Sequence, residues 1–322
     1  MRPACSNRAV CAALTFVACV TARAGTPQTL PRADDGHPDL QGIWTTGTLT
    51  PLERPEAQSG AVLTEEESLA QQKQILERRE QDRNDPNDVG SDNEAFVERD
   101  YKVLRNRQSS LVVDPPDGRV RLRPESERTR DINLNSYDSY ETMGQWERCI
   151  TRAPTELLPS SYNNGFQIVQ TRSYIVIVAE MVHDARIIRM DGSPHVDARV
   201  TGWMGDSRGH WEGDTLVVDT TNFNDHGWIA TNSVADRLLG VPHTAALHVV
   251  ERFARVDADT IDYRMTVDDA PVYSAPWTVA YPFTRDDHYQ VFEYACHEGN
   301  TAIEMTLRGA RVQENKKADQ LQ

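Results

Sequence analysis

The chain has 322 residues and carries 49 acidic against 34 basic side chains, a formal charge of −15 at pH 7. A surface that acidic repels a phosphate backbone, which argues against nucleic acid and against an anionic membrane as partner. The length suffices to bury a large core, and no dinucleotide fingerprint or phosphate-cradling glycine loop is present, so no cofactor is expected.

In chain order, residues 1–24 read as a secretion signal. Arg2 and Arg8 precede an apolar run from Ala9 to Val20, and Ala22-Arg23-Ala24 gives the small-x-small pattern of a cleavage site. The run is shorter than the about 20 residues a membrane span needs. Cleavage there starts the mature chain at Gly25 in the periplasm or medium. The alternative is a lipid-attachment box, Phe16-Val17-Ala18-Cys19, with Cys19 acylated. Residues 25–38 read as a loose leader, 39–312 as one β-rich domain, and 313–322 as a flexible tail.

Asp39–Thr45 predicts a short strand. Thr64 opens a helix over about 64–83, with Glu67 three residues on as in a capping box and Leu69 and Ile75 as its few apolar contacts. Asp82–Asn93 reads as loop. Ser110–Asp114 and Arg119–Leu122 flank Pro115-Pro116-Asp117-Gly118 and predict a hairpin. A polar connection bearing Tyr137, Tyr140 and Trp146 runs to Cys149. Strands follow at 166–170, 174–181, 186–190, 215–221, 247–256, 260–267, 277–282 and 289–294. Tight turns such as Glu212-Gly213-Asp214 make consecutive strands antiparallel. The expected fold is mainly β, a meander closed as a lipocalin-like barrel or folded as a two-sheet sandwich, with an N-terminal helical segment.

Five cysteines are present, and Cys5, Cys11 and Cys19 fall within the signal. The remaining Cys149 and Cys296 are most simply a disulfide in an exported protein. That bond would bring Arg148 and Arg152 beside His297 and Glu298, and in the chain-entropy picture it stabilises by on the order of 5 kcal/mol.

Trp203-Met204-Gly205-Asp206-Ser207-Arg208-Gly209-His210-Trp211-Glu212-Gly213-Asp214-Thr215-Leu216-Val217-Val218, Glu180-Met181-Val182-His183-Asp184-Ala185-Arg186-Ile187-Ile188 and Cys296-His297-Glu298-Gly299-Asn300 together resemble a set of secreted bacterial proteins that carry no assigned activity. The likeness runs over most of residues 36 to 310 and transfers no function. The Trp-Glu-Gly-Asp-Thr-Leu-Val hairpin is also similar to lipocalin-like barrels, which implies a ligand cavity at one mouth.

Three groups of residues carry candidate chemistry. Glu180 ends an apolar strand, where a carboxylate must be paired or protonated, and His183, Asp184 and Arg186 follow it. Together they offer a base, its orienting acid and a charge stabiliser, or else an ion-paired turn in which Arg186 satisfies Glu180 or Asp184. His297 and Glu298, with Arg152, either line a cavity or belong to a structural turn. Tyr162, Asn163 and Asn164 sit on a loop that either binds a substrate hydroxyl or is plain turn chemistry. Trp203 and Trp211, flanking Asp206, either stack on a sugar or pack in the core.

The absence of a Gly-x-Ser-x-Gly elbow and of His-Glu-x-x-His argues against a serine hydrolase and a zinc site. No metal is expected, although His183, Asp184, His297 and Glu298 would be the set to converge on one. Two functions stay open. One is a secreted or periplasmic enzyme of lyase, isomerase or hydrolase class acting by His/carboxylate chemistry on a hydroxylated small molecule or sugar. The other is a non-catalytic lipocalin-like binder.

Overall fold

The computed structural model describes residues 30–83, 101–231 and 233–320. The expected signal with its three cysteines, and the loop reading beyond residue 83, lie outside the described residues. The alternation of apolar and polar residues builds ten strands: β1 (Gly42–Thr45), β2 (Val112–Asp114), β3 (Gly165–Gln170), β4 (Tyr174–Ala179), β5 (Ala185–Arg189), β6 (Asp206–Glu212), β7 (Thr215–Thr221), β8 (His248–Arg255), β9 (Thr260–Asp268) and β10 (Trp277–Arg285). Three helices accompany them: α1 (Glu65–Arg83), α2 (Pro124–Asn135) and α3 (Ala302–Gln320).

Nine strands close a mixed barrel in the order β1-β3-β4-β5-β6-β7-β8-β9-β10, and β2 adds to one end of β10. Closure is made by β1 against β10, with Trp44 opposite Arg285 and Thr45 opposite Thr284. Period-2 burial explains the wall. In β8, Val249, Glu251, Phe253 and Arg255 are buried; in β9, Ile261, Tyr263, Met265 and Val267 are. The interior is filled by side chains. Phe166, Phe253, Tyr263, Tyr281 and Phe283 stand with ring centroids 4.7 to 6.3 Å apart, at aromatic contact distance. The interior of the barrel is therefore a packed core.

Several expectations are corrected. The meander is broken once: β5 and β6 pair in parallel, Ile188 opposite Ser207, because the connection across 190–205 is long enough for a crossover. The run Gly205-Asp206-Ser207-Arg208-Gly209 hid β6, whose inward face begins with Ser207 and Gly209 and has an apolar side chain only at the partly buried Trp211. A Cβ on Gly209 would meet Met190 Sδ at 2.4 Å and Ile188 Cγ2 at 2.8 Å, so glycine permits this close approach. Gly213, at φ 60°, turns the β6–β7 hairpin in a conformation that L side chains avoid.

The hairpin expected from Ser110–Asp114 and Arg119–Leu122 does not form. β2 pairs with Thr278 and Val279 of β10, while Leu122 makes only an isolated bridge to Tyr273. Residues 289–294 are not a strand either, since Tyr289 and Phe292 turn toward Glu180. Residues 313–320, read as tail, continue α3.

The capping box holds: Thr64 N donates to Glu67 Oε2 at 2.7 Å and Glu67 N to Thr64 Oγ1 at 3.2 Å. Leu69 is exposed, so α1 lies on the surface with its charges in solvent. The described part of the leader is pinned. Arg32 donates two bonds to Asp214 at 2.8 Å, and His37 stacks on Trp211 at 4.6 Å. No described helix is long and apolar enough to cross a membrane.

Candidate functional site

The β4–β5 end of the barrel gathers most of the candidate residues, but not as one constellation. Arg186, on β5, points into the interior. Its Nη1 and Nη2 donate to Glu251 of β8 at 2.5 and 3.0 Å, and its Nε stands 2.9 Å from Glu156 Oε1. Tyr263 OH donates to Glu251 at 2.7 Å. Burial works against the charge on Arg186, yet the two carboxylates outweigh it and hold the guanidinium above its ordinary value. Burial pushes the Glu156 carboxyl up, against the pull of Arg186. Arg186, expected to stabilise charge on a substrate or to satisfy Glu180 or Asp184, is instead fully engaged inside the barrel by residues distant in sequence.

Glu156 arrives on a buried segment, Thr151 to Ser160, that packs against the strands here. Tyr281 OH donates to Leu157 O at 2.8 Å, and Thr155 Oγ1 donates to Ile229 O. Thr151 donates to Asp184, fixing the β4–β5 connection to this segment. Arg152 is 2% exposed, and burial pushes it down to about 10.

Glu180 is the buried carboxylate anticipated at the end of β4. Tyr289 OH lies 2.8 and 2.6 Å from its two oxygens and Phe292 N donates at 3.3 Å. Between Glu180 and His183, Val182 holds φ 64° and ψ 7°. A β-branched residue in the left-handed region is an outlier that costs about 1–3 kcal/mol. Cys149 (φ 53°) and Asn163 (φ 50°) are strained in the same sense on the segments facing this end. The side chain of His183 lies outside the described residues; its backbone closes the 3-10 turn Met181–His183.

The disulfide Cys149–Cys296 is formed. It does not gather the expected four residues. Arg152 is buried, His297 and Glu298 are exposed, and Arg148 lies over the rings of Tyr140 and Trp203 at 5.6 and 5.8 Å. Tyr162 OH sits 3.3 Å from Tyr294 OH, both residues half-buried. Asn164 is structural: its Oδ1 accepts from Ser160 N at 2.7 Å and its Nδ2 donates to Tyr101 OH at 2.7 Å. Asn163 supplies the left-handed turn beside it. Trp203 is half-buried against His226 at 6.2 Å rather than presenting a free face.

Asp206 belongs to a network that sequence reasoning missed. On the barrel's outer face, Arg208 donates to both its oxygens at 2.9 and 3.0 Å and His195 Nδ1 lies 2.9 Å from Oδ2. His195 Nε2 reaches Asp219 at 2.9 Å, and Asp219 also binds His248 at 2.9 Å. Partial burial opposes ionisation of Asp206, but Arg208 and His195 hold its carboxyl below the usual range; His248 and His195 do the same for Asp219. An aspartate in the apolar run Thr215–Thr221 was the available signal. The network pins the 190–205 crossover to β6, β7 and β8.

A cleft of about 410 Å³ beside Arg54, Glu56 and Arg119 touches none of the candidate residues. A smaller pocket, about 110 Å³, is lined by Trp44, Tyr101, Gly165, Asp286 and Tyr289 and abuts Glu180 through Tyr289. Among the described residues no three His, Cys, Asp or Glu side chains stand where they could hold a metal ion. No protein-family model, curated protein or solved structure matches the chain.

Proposed function

We propose that this chain is a secreted or periplasmic enzyme, of the lyase, isomerase or hydrolase kind, that acts by acid–base chemistry on a small hydroxylated molecule or sugar at the β4–β5 end of its barrel. The observation that carries the reading is the strained Val182, held between a buried carboxylate and His183. Strain of this kind persists only where the surroundings impose it, and it clusters at functional sites. In this reading His183 moves the proton, Asp184 and Glu180 set its surroundings, and Tyr162 and Asn163 lie at the rim to meet substrate hydroxyls. Arg186 holds the barrel end together and does not touch substrate.

The sequence pattern at 1–24 and the disulfide support export, and the likeness to secreted bacterial proteins points the same way. N-terminal sequencing of exported material should find Gly25; an acylated Cys19 would replace export with anchoring.

The test is a product screen by NMR with sugars and hydroxy acids. His183→Ala is expected to lower turnover at least about tenfold, as loss of a general acid or base does, and to leave the melting temperature within a few degrees. A variant that keeps full activity removes the histidine from the mechanism. A binder without turnover is the second reading, favoured by one observation: the strongest candidate charge stabiliser, Arg186, is closed off by Glu156 and Glu251.

A further inference from the structure

Five of the described arginines are buried to similar depth, and one is unlike the rest. Arg208 and Arg255, 9% and 5% exposed, hydrogen-bond from all three nitrogens; Arg186, at 5%, bonds from Nη1 and Nη2 while its Nε forms an ion pair with Glu156 at 2.9 Å without a hydrogen bond; Arg54, at 8%, bonds from Nε and Nη2. Arg152, at 2%, donates only from Nη2, to Leu158 O at 3.1 Å; its Nε and Nη1 have no partner among the described residues. A buried guanidinium left in that state carries a desolvation penalty of several kcal/mol, and buried polar groups are normally paired. The nearby Glu156 carboxylate offsets burial only in part, and it is paired with Arg186 rather than hydrogen-bonded to Arg152. Ser160 Oγ, on the same segment and 1% exposed, is also unpartnered among the described residues.

The surroundings indicate what would complete the site. Arg152 interacts electrostatically with Tyr162, Tyr281 and Tyr294 as well as with Glu156. Tyr162 and Tyr294 are half-buried, and their hydroxyls stand 3.3 Å apart. We propose that Arg152 anchors a carboxylate-binding site beneath the Tyr162–Tyr294 pair, so that the molecule handled here is a hydroxylated carboxylic acid of the sugar-acid class. A carboxylate supplies acceptors for Nε and Nη1 in charge-assisted bonds, and the tyrosine and serine hydroxyls suit neighbouring oxygens. A monoanion fits better than a phosphate dianion, since Glu156, Glu251 and Asp184 already place negative charge around this end. This inference deepens the proposed function and rests on it for the place of binding.

The experiment titrates the mature, oxidised chain by calorimetry with acetate, gluconate, glucuronate, glucose and inorganic phosphate. Gluconate or glucuronate is expected to bind, with glucose and phosphate weaker by at least about tenfold, and Arg152→Met is expected to weaken the acid by more than about tenfold, as truncating one partner of a buried charge pair does. If that variant does not fold, Ser160→Ala and Tyr294→Phe replace it, each expected to weaken the acid several-fold while leaving the weak glucose signal unchanged. Equal binding of glucose and the acids, unchanged acid affinity in these variants, or no acid binding at millimolar concentration overturns the site. Arg152-dependent acid binding without turnover sinks the enzyme reading and keeps this one. Turnover of a neutral sugar that ignores Arg152→Met does the reverse.

Discussion

Two charge networks grip opposite faces of the same barrel wall. Inside, Glu156, Arg186, Glu251 and Tyr263 are almost wholly removed from water and complete one another. Outside, Arg208, Asp206, His195, Asp219 and His248 form a comparably connected chain, but the histidines and Asp219 remain partly exposed. The inner network has low-dielectric surroundings, so breaking it strands a buried charge. The outer one is softened by solvent and ions and responds to acid instead. Density of ionisable groups therefore does not rank regions by function here; what separates Arg152 from both networks is two nitrogens with neither a hydrogen bond nor an ion pair among the described residues.

The largest effect should come from halving the inner network. Glu251→Ala leaves Arg186 with one carboxylate and Tyr263 without its acceptor, and should lower unfolding stability in urea by about 3–5 kcal/mol. Replacing Glu156, Arg186 and Glu251 together by apolar residues of similar volume should recover most of that loss. A triple variant no better than the single one would mean that these side chains specify the fold rather than merely balance charge.

His243 sharpens the contrast because it is a buried ring with neither nitrogen partnered among the described residues. Burial pushes it down to about 4 from an ordinary 6.5. Between those values the unfolded chain takes up a proton that the folded chain refuses, so stability is complete above about pH 6.5 and falls with acid. At about 1.4 kcal/mol per pH unit, about 3 kcal/mol should be gone by pH 4. Urea titrations at stepped pH should show this slope, and His243→Leu should flatten it.

The outer network should act lower on the pH scale and more weakly. The Asp206 and Asp219 carboxyls are depressed when folded, so what they contribute is present above the ordinary aspartate value, 3.8, and is lost as pH drops through the folded values. Asp206→Asn and Asp219→Asn should reduce acid sensitivity below pH 4 and change stability at pH 7 only slightly. The smallest effect belongs to His297→Ala, at an exposed position, which should stay within about 0.5 kcal/mol of the parent. If it removes activity as well, the disulfide region rejoins the site.

How much was legible follows from sequence distance. Alternation exposed β3, β4, β5 and β7 to β10, because most of their inward residues are apolar at period 2, with Arg186, Glu251 and Arg255 as charged exceptions. It could not expose β6, whose first inward positions are Ser207 and Gly209, with Trp211 the one apolar residue on that face. It misled at 289–294, where Tyr289 and Phe292 serve Glu180 instead of a ladder. Glu180 itself was readable as a buried carboxylate in need of a partner, whereas the identity of that partner was not. The same holds for Arg186, whose two glutamates lie on a loop segment and on β8. Local order is written in neighbouring residues, but ion pairing depends on which strands closure brings together.

That closure has a consequence for the order of events during synthesis. β1 lies among the first described residues, and the strand that seals it, β10, is the last of the sheet. Until β10 has emerged, β1 can add only to β3, and the free edge where the barrel will be stitched stays open to any other extended chain. Closure of the barrel therefore comes last, after the ladders from β3 to β9 can already have formed. A helper that shields unpaired strand edges would act on this interval, and its substrate would be the open sheet rather than the unfolded chain.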